Sequence, residues 1–436
     1  MKPVSLMFIA GEASGDQLAA ELVSALRERL AGQWAQPSGD AQPRFASLEP
    51  QCFGAGGPRM AEAGVELVRD LTRHSVIGLW EVIQHYGKFR RFFRELLRVA
   101  VERQPDAIIC VDYSGFNRRF AAAVKRRVRA RPSGFHNWNP KIVQYVSPQV
   151  WASRADRAYQ LERDVDLLLS IFPFEPEWYA RRTPKLRVEF VGHPIFDRHP
   201  VQGEVETSAP PGRSPPFERP PKPLVLLLPG SRRDELRRHL PVMVGAARLI
   251  AAKTPCQFWA VLPDAELAAE AAALTRLQTL PEITAPEYQP EQPPAIRCSF
   301  GDLPAALRQA TVAIASTGTV TVECAYFGVP TVALYKTSWS TYQIGRRIVR
   351  VQFLAMPNLL AGEEVFPEFI QPAATPENIA RAALELLTDD ARRQKTKARL
   401  ARIIASLGGP GARLRAAAAI VDLLLEPAHS RMPRLG

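Results

Sequence analysis

The stretch Leu224–Pro241 reads LVLLLPGSRRDELRRHLP. Its apolar run stops at Pro229-Gly230, and Ser231, Arg232 and Arg233 lead into a segment of helical character. A strand buried on both faces reads as such a run. A tight turn into a helix then gathers free N–H groups and the positive dipole end at one spot. Two arginines beside it offer forked donors to phosphate oxygens. The chemistry implied is anion binding, most simply of a diphosphate. The plainer alternative is an exposed turn with solvated arginines.

A second loop has the same character. AIASTGTVTVECAYFGVPTVALYK spans Ala313–Lys336, and Ser316-Thr317-Gly318-Thr319 separates a short strand from a helix carrying Glu323. Small residues let a ligand approach the backbone, and hydroxyls and N–H groups suit a second phosphate oxygen. Glu323, one turn into the helix, could accept from ribose hydroxyls. A helix cap at Ser316 or Thr319 is the competing reading.

Two carboxylates stand at strand ends in the first half. Ala10–Asp16 (AGEASGD) places Glu12 after the first apolar run, and Val111–Asn117 (VDYSGFN) places Asp112 after another. Either could take a proton from a substrate hydroxyl. An Asx turn at Asp112 and a helix cap at Asp16 are the alternatives. AGEASGD is neither GxGxxG nor a P-loop ending in Gly-Lys-Ser/Thr.

These loops need a scaffold, and the patterning supplies one. Val4–Ala10, Ala107–Val111, Lys141–Val146 and Asp166–Ile171 read as strands, as do Leu224–Leu228, Gln257–Leu262, Val312–Ala315 and Thr331–Tyr335. Asp16–Leu30 reads as a helix with Leu18, Leu22, Leu26 and Leu30 on one stripe. Alternating strands and helices predict an α/β fold of two parallel-sheet domains, with ligands at the carboxyl ends of strands. His199–Pro223 holds eight prolines and reads as a semi-rigid linker. The predicted domains are 1–199 and 224–436 on either side of a 200–223 linker, facing a cleft. The final helices are candidates to pack back on the first domain. Ala31–Gln51 and Pro281–Pro294 read as loop insertions.

The chain has 436 residues, which favours two domains, and a net charge of +12, which favours acidic partners. The five scattered cysteines have no CxxC spacing, so neither a disulfide framework nor a zinc site is supported and a reducing compartment fits. Met1–Ala10 carries a lysine and a short apolar run, as a signal peptide does, but it leads directly into Gly11 and reads as a strand. No apolar run is long enough to span a bilayer. Val76–Val99 mixes apolar and aromatic residues with Lys88, Arg90, Arg91, Arg94 and Arg98, and Arg118–Arg131 is basic without an acid. Such segments either lie in a membrane interface or turn an apolar stripe to the core and a basic face to water. The apolar surplus at Val76, Ile77, Leu79, Trp80, Val82 and Ile83 favours a lipid-facing patch. No RRM, KH or zinc-finger pattern supports a nucleic-acid partner.

Taken together, AGEASGD (10–16), GAGGPRM (54–60), IGLWEV (77–82), VDYSGFN (111–117), YVSPQVWASR (145–154), PFEP (173–176), VGHP (191–194), LLPGSRRDE (227–235), STGTVTVE (316–323) and PNLLAG (357–362) resemble the lipid-A-disaccharide synthase family, glycosyltransferases of the GT-B type. They run in register across nearly the whole chain.

The resemblance implies two Rossmann-like domains. It implies a reaction in which UDP-2,3-diacylglucosamine donates its sugar to 2,3-diacylglucosamine 1-phosphate, with inversion at the anomeric centre. Asp112 is then the candidate base for the acceptor 6-hydroxyl, with Glu12 next. Ser231, Arg232, Gly318 and Thr319 would hold the diphosphate, Arg232 offsetting leaving-group charge, and Glu323 the ribose. Asn358 falls near the donor. No cofactor or metal is implied. The acylated substrates imply a peripheral protein on the inner face of the cytoplasmic membrane, while oligomeric state stays open. The chain departs from the family at Gly115, where some members carry a second Asp, and in its long linker. The competing functions are another UDP-sugar enzyme on the same fold, such as an epimerase or a peptidoglycan-type transferase, and a non-enzymatic binder of RNA or anionic lipid.

Overall fold

A computed structural model describes residues 3–34, 49–71, 86–130, 138–199, 222–275 and 295–426. The chain divides into two compact units, one formed by the described residues of Met1–Glu204 and Leu407–Gly436, the other by those of Val205–Ser406. The first unit therefore includes the helix Ala412–Leu425, at the end of the range predicted for the second domain. That helix packs on Ala13–Trp34, and Asp197 accepts from the backbone N–H groups of Gly411 and Arg413 at its start.

The first unit is built on a seven-stranded sheet: β1 (Ser5–Ala10), β2 (Gln51–Gly56), β3 (Glu66–Asp70), β4 (Ala107–Val111), β5 (Lys141–Tyr145), β6 (Leu167–Ser170) and β7 (Val188–Phe190). The order is β3-β2-β1-β4-β5-β6-β7 and neighbours are parallel. Strand order reverses between β1 and β4, whose residues are all buried. Gly54 lets β2 lie close to β1: its φ is +151°, and a Cβ there would stand 1.9 Å from the Phe8 carbonyl oxygen.

The second unit has a six-stranded parallel sheet: β8 (Leu224–Leu228), β9 (Gln257–Leu262), β10 (Ile296–Phe300), β11 (Val312–Ser316), β12 (Thr331–Tyr335) and β13 (Glu368–Ile370), in the order β10-β9-β8-β11-β12-β13. Here the order reverses between β8 and β11. The continuous apolar run of β8 has a direct cause. Val225 and Leu227 pack into the core on one face, and Leu224, Leu226 and Leu228 into the core on the other.

Several boundaries move. The first helix begins at Ala13 and runs to Trp34, into the predicted insertion, with Leu18, Leu22, Leu26 and Leu30 buried as the stripe requires. The Pro281–Pro294 insertion, the linker residues 200–221 and the patch Val76, Ile77, Leu79, Trp80, Val82 and Ile83 lie outside the described residues. The rest of that basic stretch forms the helix Tyr86–Arg103. Leu96 is buried, Phe92 and Phe93 pack against Phe116, and Arg90, Arg91, Arg94 and Arg98 are exposed. Over these residues the core-facing stripe wins. In the basic helix Ser114–Arg129, Lys125 is committed to Asp166 at 2.7 Å. No described helix is long and apolar enough to cross a membrane. All five cysteines are free thiols.

Candidate functional site

In each sheet, ligands are favoured at the carboxyl ends of the strands flanking the reversal of strand order. In the first unit those loops follow β1 and β4, and they carry Glu12 and Asp112. In the second they follow β8 and β11, and they carry Ser231, Arg232, Gly318 and Thr319. The residues singled out from sequence therefore converge on the two switch points, one set in each unit.

The first-unit loops interlock. A Cβ at Gly11 would stand 2.3 Å from the Tyr113 ring, and one at Gly15 would stand 3.8 Å from Asp112 Cβ. Only glycine lets the two loops approach this closely at residue 11. Burial pushes the Tyr113 hydroxyl pKa upward, and the Glu12 charge adds to the shift. Asp16, read as a cap for its own helix, instead accepts from the N–H groups of Gly57 (2.7 Å), Arg59 (3.0 Å) and Met60 (3.1 Å). It thereby satisfies the start of the helix Pro58–Glu62, to which its own helix is docked.

Asp112 and Tyr113 both hold left-handed backbone, with φ of +48° and +42°, and Val146 after β5 has φ +67°. Such conformations cost on the order of 1–3 kcal/mol each and gather at functional sites. Val146 is the most strained kind, a β-branched residue at positive φ. The Asp112 carbonyl oxygen accepts from Asn117 Nδ2 at 2.8 Å and Gln144 Nε2 at 3.1 Å. Sequence reading gave neither amide a role. Gly115 is exposed, and a Cβ there meets nothing within 4 Å, so a second acid would be tolerated sterically.

In the second unit, Gly230 has φ +119° and opens the turn into the helix Arg233–Ala251, with Arg232 at its N-cap. Ser231 and Arg232 are exposed. The Ser231 N–H donates to Glu235 Oε2 at 3.2 Å, and Glu235 stands 3.7 Å from the Arg232 guanidinium. A carboxylate thus already satisfies the anion loop. Arg233 is turned away, paired with Glu266 and Glu270. His239 is buried: its Nε2 accepts from the Lys336 N–H at 2.9 Å, and its Nδ1 lies 2.8 Å from the Pro229 carbonyl oxygen. A backbone N–H can only donate, so the ring proton sits on Nδ1 and donates to Pro229. Burial lowers the His239 pKa and so favours this neutral form. His239 therefore pins the Pro229-Gly230 turn to the end of β12.

Gly318, at φ +143°, is the N-cap of the helix Thr319–Tyr326, so neither Ser316 nor Thr319 fills that position. Ser316 is buried at the end of β11, whereas Gly318 and Thr319 are exposed and Glu323 is half-buried one turn on. Asn358 departs from the expected donor contact. It is fully buried, its Nδ2 donates to Phe366 O and Glu368 Oε1, and its Oδ1 accepts from the N–H groups of Val365 and Phe366, all at 2.8 Å. With every hydrogen-bonding direction used, Asn358 shapes the 358–368 loop and cannot also grip a ligand. Among the described residues, no group of three or more His, Cys, Asp or Glu is placed to hold a metal ion.

Solved structures with the same architecture include the calicheamicin glycosyltransferase CalG4 (17% identity, TM-score 0.54, 98% of this chain and 100% of that one). The glycotransferase of kitacinnamycin (18%, TM-score 0.55, 97% and 100%) is another. The fold is thus of the GT-B type, two Rossmann-like α/β units each with a ligand-ready switch point.

Within that class, the chain belongs to the lipid-A-disaccharide synthetase family, whose model matches residues 6–421. It is 36% identical to the lipid-A-disaccharide synthase of Geobacter sulfurreducens over 423 residues, 96% of this chain and 97% of that protein. It is 33% identical to that of Myxococcus xanthus over 426 residues, 97% and 98%. The chain is a glycosyltransferase of lipid A disaccharide synthesis, acting on a nucleotide sugar and a lipid sugar.

Proposed function

We propose that this enzyme transfers the sugar of UDP-2,3-diacylglucosamine to the 6-hydroxyl of 2,3-diacylglucosamine 1-phosphate. The acceptor oxygen bonds to the anomeric carbon as the bond from that carbon to the diphosphate breaks. Asp112 takes the hydroxyl proton, with Glu12 as the neighbouring acid, and the electron pair leaves on UDP. The products are the β-1,6-linked disaccharide 1-phosphate and UDP, with inversion. Arg232, the Ser231 N–H and the start of the helix Thr319–Tyr326 offset the charge growing on the diphosphate. Glu323 receives the ribose. No metal is required.

The observation that carries this reading is the location of Asp112. It is a carboxylate on strained backbone at the switch point of one sheet, while the exposed guanidinium of Arg232 stands at the switch point of the other. The acyl chains of both substrates support work at the inner face of the cytoplasmic membrane. The apolar run Val76–Ile83 would enter the lipid there, and the exposed Arg90, Arg91, Arg94 and Arg98 would meet anionic headgroups.

UDP release from the diacylated donor tests the reading. Release in detergent only when the diacylated monosaccharide phosphate is present is expected. No release with both present would overturn it. Detergent-independent turnover of UDP-N-acetylglucosamine would favour a different nucleotide-sugar reaction. Asp112→Asn should lose most turnover.

A further inference from the structure

Main-chain carbonyl oxygens cluster at the carboxyl ends of β1, β4 and β5. Two buried amides collect them. Gln144 Nε2 lies 3.1 Å from Asp112 O, 3.4 Å from Tyr145 O and 3.2 Å from Val146 O. Asn117 Nδ2 lies 2.8 Å from Asp112 O, 3.3 Å from Val111 O and 3.5 Å from Ile9 O. Both side chains are almost wholly excluded from solvent, at 2% and 0% exposure.

Three of the non-glycine residues at positive φ, Asp112, Tyr113 and Val146, sit where these amides act. Gln144 bonds the carbonyls of two of them, and both amides converge on the carbonyl of Asp112. The Asp112 N–H completes the clamp by donating to Tyr145 O at 2.9 Å. Asn117 Oδ1 has no partner among the described residues, so that amide is committed through its N–H groups alone.

We infer that Gln144, assisted by Asn117, is a positioning residue for the reaction: it locks the left-handed backbone of Asp112 and Val146 and so fixes where the Asp112 carboxylate projects. The inference rests on the reading of Asp112 as the base. Neither amide reaches solvent, so neither is a catalytic residue. A chain released from this clamp would relax Asp112 toward ordinary backbone angles and swing its side chain away from its working direction.

Gln144→Met tests this, because methionine matches the length and lacks the donors. The kcat is expected to fall roughly 10- to 100-fold, the scale of a misplaced reacting group, with the donor KM nearly unchanged. Gln144→His, whose ring N–H restores one donor, should recover most of that loss. It also remains informative if the Met variant folds poorly. The same change is then made in Asp112→Glu. If Gln144 acts through Asp112, the loss there is much smaller than in the wild type. An equal loss in both backgrounds, or wild-type kcat in Gln144→Met, overturns the inference. Wild-type kcat in Asp112→Asn would instead refute the base assignment, which separates the two failures.

Discussion

The Ser231 N–H donates to Glu235 Oε2 at 3.2 Å, so the loop proposed to hold the donor diphosphate is closed by a carboxylate from its own helix. An incoming phosphate must compete for that N–H. Gly230 makes the arrangement possible. Its φ is +119°, and a Cβ there would fall 2.4 Å from Glu235 Oε2 and 2.9 Å from Glu235 Cβ. Gly230→Ala should therefore strain the turn and push Glu235 off Ser231. A loss of roughly 1–3 kcal/mol of stability is expected. With the Ser231 N–H released from its internal competitor, UDP affinity should rise, by up to about tenfold, the equivalent of 1.4 kcal/mol. Urea denaturation and calorimetric titration with UDP read the two effects. Wild-type values in both would mean that the turn tolerates a side chain and that Glu235 is not seated there in solution.

Arg232 keeps 63% of its side chain exposed beside that loop. If it stabilises the leaving group, Arg232→Ala should lower kcat by roughly 10²–10³, the scale for removing one charge-stabilising donor. Arg232→Lys keeps the charge but not the fork, so it should recover only part of the loss. A rise in donor KM with kcat unchanged would instead assign Arg232 to uniform binding of the donor.

The strands legible in the sequence were those buried on both faces. Ala107–Val111, Leu224–Leu228, Gln257–Leu262 and Thr331–Tyr335 begin and end as their apolar runs do. The pattern gave no strand at β3, β7, β10 or β13, which form the sheet edges, nor at the interior strand β2, whose short run QCFGAG is broken by two glycines. An edge strand has no need of a continuous apolar run. The site divides in the same way. Glu12, Asp112, Ser231 and Gly318 were visible because a polar or small residue after a buried strand stands at the strand's carboxyl end. Gln144 and His239 act through main-chain groups on distant segments, and no local pattern encodes those partners. Each still left one mark. Gln144 is the polar member of the buried stretch Ile142–Tyr145 of β5, and His239 sits on the buried stripe of Leu236, Leu240 and Met243. A polar side chain at a core position implies a partner, although not which one.

Charge on the diphosphate is proposed to be offset by Arg232 and by helix N-termini. Turnover in EDTA should then equal turnover in buffer. A loss of about tenfold or more that added Mg²⁺ restores would show a divalent cation taking a share of that charge.

Glu175, fully buried, follows β6 in the first unit, where Trp151 Nε1 donates to it at 2.9 Å and Ser170 Oγ at 2.8 Å. Burial pushes its carboxyl pKa up to about 7, against the pull of those donors. The folded pKa thus lies above the unfolded value of about 4.3. The folded state binds this proton more tightly, so the resulting stabilisation is complete below the unfolded pKa and is lost as pH rises through about 7. His193 titrates with the opposite consequence. Burial lowers its pKa to about 4, so its cost appears as pH falls below the ordinary histidine range. The cysteine thiols, whose pKa values burial raises, add an alkaline loss of their own, so the glutamate is isolated by the difference between wild type and a Glu175 variant at each pH. Glu175→Gln stays neutral throughout and should be the more stable protein at pH 8, by up to roughly 3 kcal/mol. At pH 5 that advantage should vanish or reverse, because the wild-type carboxyl is protonated there and keeps its hydrogen bonds. Urea denaturation of both proteins at the two pH values decides the matter. Parallel pH dependence would mean that some other group carries the alkaline loss and that Glu175 titrates like an exposed acid.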